Sequence, residues 1–254
     1  MIYIGTSGWS YDHWKNGVFY PKNWDQHELK YYQKYFNSVE LNASFYHLPK
    51  KQTFANWREL VPEDFIFTIK ASRYLTHILK LSEPREPLEN LLENASELKE
   101  NLGPIFFQFS PRLSAQLKTL KDFANILEKE TQKLKEEKNI ENLQFAFEFR
   151  HETWFNQEIY NILETHNLAL IFADTPKYPL VEKITADFIY IRLHGHEILY
   201  QSKYSKEDLE SWAEKILNWE KEGQDVYCYF DNDANANAVD NATELKTIID
   251  SQLE

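Results

Sequence analysis

Glu148 and Arg150 stand two residues apart in Gln144-Phe-Ala-Phe-Glu-Phe-Arg-His151, and Arg192 and His194 stand two apart in Ile191-Arg-Leu-His-Gly195. In an extended chain residues i and i+2 share a face. Each segment therefore offers a matched pair: a carboxylate beside a guanidinium, and a guanidinium beside an imidazole. Guanidinium forks suit planar oxyanions, while Glu and His are the usual carriers of a proton near neutral pH. In the first segment Phe145, Phe147 and Phe149 fill the opposite face, which is apolar enough to be covered by helices. The same phasing recurs. Glu40 and Asn42 lie opposite Val39 and Leu41, and Thr68 and Lys70 lie opposite Phe67 and Ile69. Gln108, Asp174 and the run Phe230-Asp-Asn-Asp233, which contains Asn232, also follow apolar stretches.

The elements that would position these groups are eight β-like runs: Ile2–Thr6, Ser38–Asn42, Phe65–Lys70, Ile105–Phe109, Gln144–Phe149, Leu168–Phe172, Phe188–Leu193 and Val226–Asp231. Between them the apolar period changes from two to about 3.6. Leu88, Leu91, Leu92, Ala95 and Leu98 form one helical stripe, entered at Pro87 and stopped by Gly103-Pro104. Leu117, Leu120, Phe123, Ala124 and Leu127 form another, with a charged, solvated tail from Glu128 to Lys138. Ser205-Lys-Glu-Asp208 reads as a capping box, Gly223 as a helix stop, and a last helix is expected near Ala234 to Gln252. The segment from Asp174 to Asp187, with Pro176 and Pro179, is a weak helix. Eight strands each followed by a helix predict an α/β protein folded as a single (β/α)8 TIM-type barrel, one domain over residues 1–254. An open dinucleotide-binding sheet is disfavoured, because Gly5-Thr-Ser-Gly8 does not match a phosphate-cradling glycine pattern.

Composition narrows the function. Forty acidic against 28 basic residues give a net charge of −12. That disfavours nucleic acid as a partner, since non-specific binding needs a basic footprint. Cys228 is the single cysteine, within an apolar run, so it reads as a small buried hydrophobe. No run approaches membrane-spanning length and no signal-like stretch opens the chain, so a cytoplasmic protein without a membrane partner is expected. Nothing in the pattern points to an oligomeric state.

In a barrel the chemistry gathers at the carboxyl ends of the strands. On that expectation Glu40, Glu148, Asp174 and His194 are the candidate catalytic groups. Lys70, Gln108, Arg150, Trp154, Arg192 and Asn232 are the candidate substrate contacts, with an anion held by Lys70, Arg150 and Arg192. Backbone amides near Asn235 could add a phosphate site. Gly5-Thr-Ser-Gly-Trp-Ser-Tyr11, Val39-Glu-Leu-Asn-Ala-Ser-Phe-Tyr46, Phe145–Trp154, Ala173-Asp174, Ile191–Gly195 and Tyr229–Asp233 together resemble the YecE-like family, domain of unknown function 72. The resemblance implies a TIM-type barrel and supplies no mechanism. Asp231 stands where that family usually carries the first Asn of Phe-Asn-Asn-Asp.

The favoured reading is an enzyme acting on a phosphate- or carboxylate-bearing small molecule with no cofactor. One alternative is a metal-dependent barrel, with Glu148, Asp174, His194 and Asp231 holding Mg, Mn or Zn, similar to sugar isomerases or abasic-site endonucleases. Against it, Arg150 and Arg192 would crowd the cation. A glycosidase is disfavoured because nearby cations would keep both Glu40 and Glu148 ionised. The other alternative is a non-catalytic nucleotide- or nucleic-acid-binding protein using loop aromatics, of which Trp154 is the foremost, with His151 beside it as a supporting partner. His13, His27, His47, His77, His166 and His196 show no ligand spacing and read as surface or capping residues.

Overall fold

The computed structural model describes residues 1–140 and 143–253. The strands are β1 (Ile2–Thr6), β2 (Ser38–Leu41), β3 (Ile66–Lys70), β4 (Leu102–Gln108), β5 (Phe145–Glu148), β6 (Leu168–Leu170), β7 (Phe172–Asp174), β8 (Phe188–Leu193) and β9 (Asp225–Phe230). The helices are α1 (Leu29–Tyr32), α2 (Ala43–Tyr46), α3 (Lys51–Arg58), α4 (Arg85–Ala95), α5 (Leu117–Lys138), α6 (Gln157–Thr165), α7 (Lys206–Lys221) and α8 (Asn237–Leu253). Two parallel sheets result, of order β1-β9-β8-β7 and β2-β3-β4-β5-β6. The α/β class and all eight expected strand positions are found. The sixth expected strand is split at Ile171 into β6 and β7, one piece in each sheet.

The described residues fall into two compact units. The first comprises Met1–Glu40, Phe172–Glu182 and the chain from Asp187 onward; the second comprises Leu41–Ile171 and Lys183–Ala186. In the first unit β9 runs beside β1 and β8, with Val226 paired to Ile2 and Ile189. Tyr3 stacks on Tyr227 at 4.8 Å and Tyr190 packs on Tyr229 at 5.3 Å, so tyrosines rather than aliphatics build one sheet face. Gly5 is required where it stands. A Cβ there would lie 2.0 Å from the Ser38 carbonyl oxygen, so β1 approaches that backbone as no other residue could. Ser205 and Asp208 form the expected capping box at the start of α7.

In the second unit the apolar faces of β4 and β5 meet α5, where Phe123 packs edge-on against Phe107 at 5.0 Å. Phe147 joins the same cluster. Each such ring, removed from water, contributes roughly 2–3 kcal/mol. Helix α4 starts at Arg85, before Pro87, because a proline in the first turn lacks only an N–H that would have no helical partner anyway. The helix gives way to a tight turn, Ser96–Asn101, and β4 starts at Leu102. Gly103 thus lies inside the strand, where a Cβ would meet Ile66 Cγ2 at 2.3 Å; its role is close approach, not the expected helix stop. The charged tail of α5 remains helical to Lys138. Between Asp174 and Asp187 no helix forms, a correction to the expected weak one, as Pro176 and Pro179 remove backbone donors.

Candidate functional site

Tyr190, Arg192 and His194 alternate along β8 and its end, all facing one way and all buried. In the first unit they meet Glu40, which is fully buried. Arg192 donates from Nε to Glu40 Oε2 at 2.7 Å and from Nη2 to Oε1 at 2.6 Å, a two-armed contact. The same carboxylate accepts the Tyr190 hydroxyl at 2.9 Å and the Ser7 hydroxyl in a short hydrogen bond. Ser7 is brought there by a parallel bridge to Glu40 and by the Gly8 amide, which donates to the Glu40 carbonyl. With two guanidinium arms and two hydroxyls on one carboxylate, its buried charge is compensated.

Arg192 extends the network. Nη2 reaches Asp231 Oδ2 at 3.2 Å, and Nη1 lies 3.2 Å from His194 Nε2. A guanidinium can only donate, so Nε2 of His194 accepts and its Nδ1–H points at Asp231 Oδ2, 3.0 Å away. Asp231, with a side chain 21% exposed, is the part of this chain of contacts nearest to solvent. Asp174 lies beside Tyr204, whose phenol is raised by burial first and then by that carboxylate, and 3.4 Å from His196 Nδ1. Asn232 is fully buried and gives its amide to Ser202 O and Asn241 Oδ1, each at 3.0 Å. It ties the end of β9 to α8. Asp233 accepts Trp14 Nε1 and contacts His13 Nε2, both at 2.8 Å. Burial, aided by Asp231, raises its carboxyl to about 6 against the pull of those two partners.

In the second unit charged and polar side chains cluster at the ends of β3, β4 and β5. Register pairs Gln108 with Glu148 across β4 and β5, and Gln108 Nε2 lies 2.9 and 3.0 Å from the two Glu148 oxygens. Arg150 Nε donates to Oε1 at 2.6 Å. Lys70 pairs with Phe106, and its ammonium sits 4.6 Å from the centre of the Phe45 ring and 5.9 Å from that of Phe106. Such placement is favourable because the ring face is electron-rich. The His77 imidazole meets the same Phe45 ring edge-on at 5.4 Å. Burial, then the charges of Lys70, Arg150 and Arg73, hold the His77 imidazole below its ordinary value.

The expected residues thus divide. Glu40, Asp174, Arg192, His194 and Asn232 lie in the first unit, and Lys70, Gln108, Glu148, Arg150 and Trp154 in the second. Trp154 is 2% exposed, stacked 4.4 Å over Phe149, with Nε1 donating to Leu113 O. It packs the end of β5 instead of presenting a stacking surface. His151 accepts from the Thr153 amide and caps the turn Glu152–Trp154. Arg192, expected to hold a ligand anion, holds Glu40. Among the described residues no group of three or more His, Cys, Asp or Glu is placed to hold a metal ion, and no helix is long and apolar enough to cross a membrane. Sequence reasoning passed over Ser7, Tyr190 and His77. Tyr190 was readable, since it shares the phase of Arg192 and His194.

The model of the family described as "Protein of unknown function DUF72" matches residues 3–254. The chain is similar to UPF0759 protein YunF of Bacillus subtilis, 25% identical over 98% of this chain and 95% of that one. It is likewise similar to UPF0759 protein YecE of Escherichia coli K12, 27% identical over 86% and 82%. Among solved structures, a DUF72 family protein from Thermotoga maritima superposes with a TM-score of 0.81 at 29% identity, covering 98% and 99%.

Proposed function

The chain belongs to the DUF72 family, and we propose that it is a cytoplasmic enzyme acting on a small molecule that carries a phosphate or carboxylate, bound at the ends of β3, β4 and β5. The observation that carries this reading is that the Lys70 ammonium and the half-buried His77 imidazole share the Phe45 ring, at 4.6 and 5.4 Å, with Arg150 and Arg73 adding to the positive charge that, after burial, lowers that imidazole. Like charges near one ring repel one another, Glu148 on Arg150 offsets part of that repulsion, and a bound oxyanion would add to the offset. Arg150 and Lys70 would hold the anion, the guanidinium by paired hydrogen bonds and the ammonium as a point charge. Glu148, oriented by Gln108 and Arg150, is the proposed general base. In the first unit we assign Glu40, Arg192 and Asn232 to holding the strand ends of that unit. Trp154 we assign to packing. No cofactor is invoked.

The test is a thermal-shift screen of phosphorylated and carboxylated metabolites, since a ligand that binds only the folded state raises apparent stability by about 2.7 kcal/mol at a hundredfold excess over Kd. Stabilising compounds should lose their effect in Lys70→Met and Arg150→Met. Glu148→Gln should retain the shift and lose turnover. Equal shifts in wild type and both cation variants would overturn the assignment.

A further inference from the structure

We propose that His77 is the proton-carrying residue of the Lys70–Arg150 site, so that a dianionic oxyanion, as in a phosphate monoester, is bound there together with one proton taken from solvent onto the His77 imidazole. This rests on the anion reading above and narrows it, because a dianion couples more strongly to a neighbouring imidazolium than a carboxylate does.

The backbone places His77 deliberately. It lies on a widened helical turn, Tyr74–Ile78, whose hydrogen bonds span five residues, and such turns are rare and recur at functional sites. The turn follows β3 directly, so the ring is carried back toward the strand end that bears Lys70. Phe45, on α2, is the shared surface: the Lys70 ammonium lies 4.6 Å from its ring centre and the His77 ring 5.4 Å. Ser44, the preceding residue, donates to the Lys70 carbonyl at 2.8 Å and fixes α2 against β3.

The tautomer follows from the hydroxyl of Thr76. That hydroxyl has Ser72 O at 3.1 Å and His77 Nδ1 at 2.9 Å in reach, and we assign its one hydrogen to the carbonyl, so that it accepts from His77 Nδ1–H. Nε2 is thereby the nitrogen that takes up a proton. The charges facing the ring are Lys70 from β3, Arg150 from the end of β5, with Glu148 bonded to it, and Arg73 from the same turn. On the α4 side, Glu83, Arg85 and Glu86 line a groove with Tyr74 and Leu79 instead. Burial first, and then the repulsion of these cations, hold the imidazole below its ordinary value. A dianion among them offsets that repulsion, so its binding raises the proton affinity of Nε2.

Sulfate is the probe, because it stays dianionic throughout the range in which histidine titrates. Sulfate titrations by calorimetry from about pH 5.5 to about pH 8, in buffers of different ionisation heat, should show proton uptake that peaks between the free and bound His77 midpoints, at about half a proton per sulfate for a one-unit shift and more for a larger one. Affinity should fall up to about tenfold per pH unit above the His77 midpoint. In His77→Asn the affinity should become nearly independent of pH and the uptake should vanish. Histidine-ring NMR on the wild type, which needs no folded variant, should show the His77 midpoint rising by about one unit or more at saturating sulfate. Sulfate binding that depends on Lys70 and Arg150 but leaves that midpoint unmoved would overturn the role of His77 and leave the anion site standing. Sulfate binding that is absent, or unchanged in Lys70→Met and Arg150→Met, would overturn both.

Discussion

Glu40 in the first unit and Glu148 in the second are buried carboxylates that each meet an arginine, and they differ in what the contact leaves accessible. Glu40 takes two arms of Arg192 and two hydroxyls, and the Arg192 side chain is 0% exposed. Glu148 meets Arg150 through Nε at one oxygen while Gln108 spans both, and the Arg150 side chain remains 11% exposed. Identical residue types therefore serve as an anchor in one unit and as a rim in the other. What separates them is the exposure of the arginine, closed over at Arg192 and reaching the surface at Arg150, a difference that no inspection of the two residue types alone would give.

The largest effect expected from this contrast is on stability. Glu40→Ala should cost about 3–5 kcal/mol in urea unfolding, because it removes the two-armed partner of the fully buried Arg192 guanidinium, whereas the double change Glu40→Leu, Arg192→Leu should recover much of that loss. Equal destabilisation by the single and double variants would break the comparison. The next effect is a pH dependence in the first unit. The Asp233 carboxyl is raised to about 6 from an unfolded value of 3.8. Through that window the unfolded chain has lost the proton and the folded chain has kept it. Stability therefore falls as pH rises across it, by up to about 3 kcal/mol. Asp233→Asn should flatten that slope while keeping the acceptor for Trp14, and a slope unchanged in the variant would contradict the assignment.

Arg150→Met should be milder, at roughly 1–2 kcal/mol, since Gln108 still holds Glu148, but it should abolish stabilisation by oxyanions. A cost comparable to that of Glu40→Ala would make Arg150 an anchor too. The smallest effect serves as a common scale. Ser205→Ala in the first unit and Asn156→Ala in the second each remove a helix N-cap side chain, and both should cost about 1 kcal/mol. Caps of very unequal cost would mean that the units differ in overall stability and not in their charged clusters alone.

Much of this arrangement was legible in the sequence. Strand phase put Arg192 with His194 and Glu148 with Arg150, and both pairs share a face as read. The capping box at Ser205 and the apolar face of Phe145, Phe147 and Phe149 followed from local pattern. What escaped is set by contacts between distant segments. Arg192 looked like a ligand arm because its two-residue neighbour is His194, whereas its main partner is Glu40, 152 positions away. Trp154 looked accessible beside charged residues, yet its ring is stacked on Phe149 and Phe109. His77 was passed over because histidines were compared with one another for ligand spacing. Its partners are cations and a phenyl ring, brought to it by a widened turn that no residue-type pattern announces.

The central claim is that an oxyanion belongs among Lys70, Arg150 and His77. Anomalous diffraction from crystals soaked in selenate tests it directly. A selenium peak within hydrogen-bond reach of the Lys70 ammonium and the Arg150 guanidinium is the predicted result, and a well-diffracting soaked crystal whose peaks all lie elsewhere would contradict it.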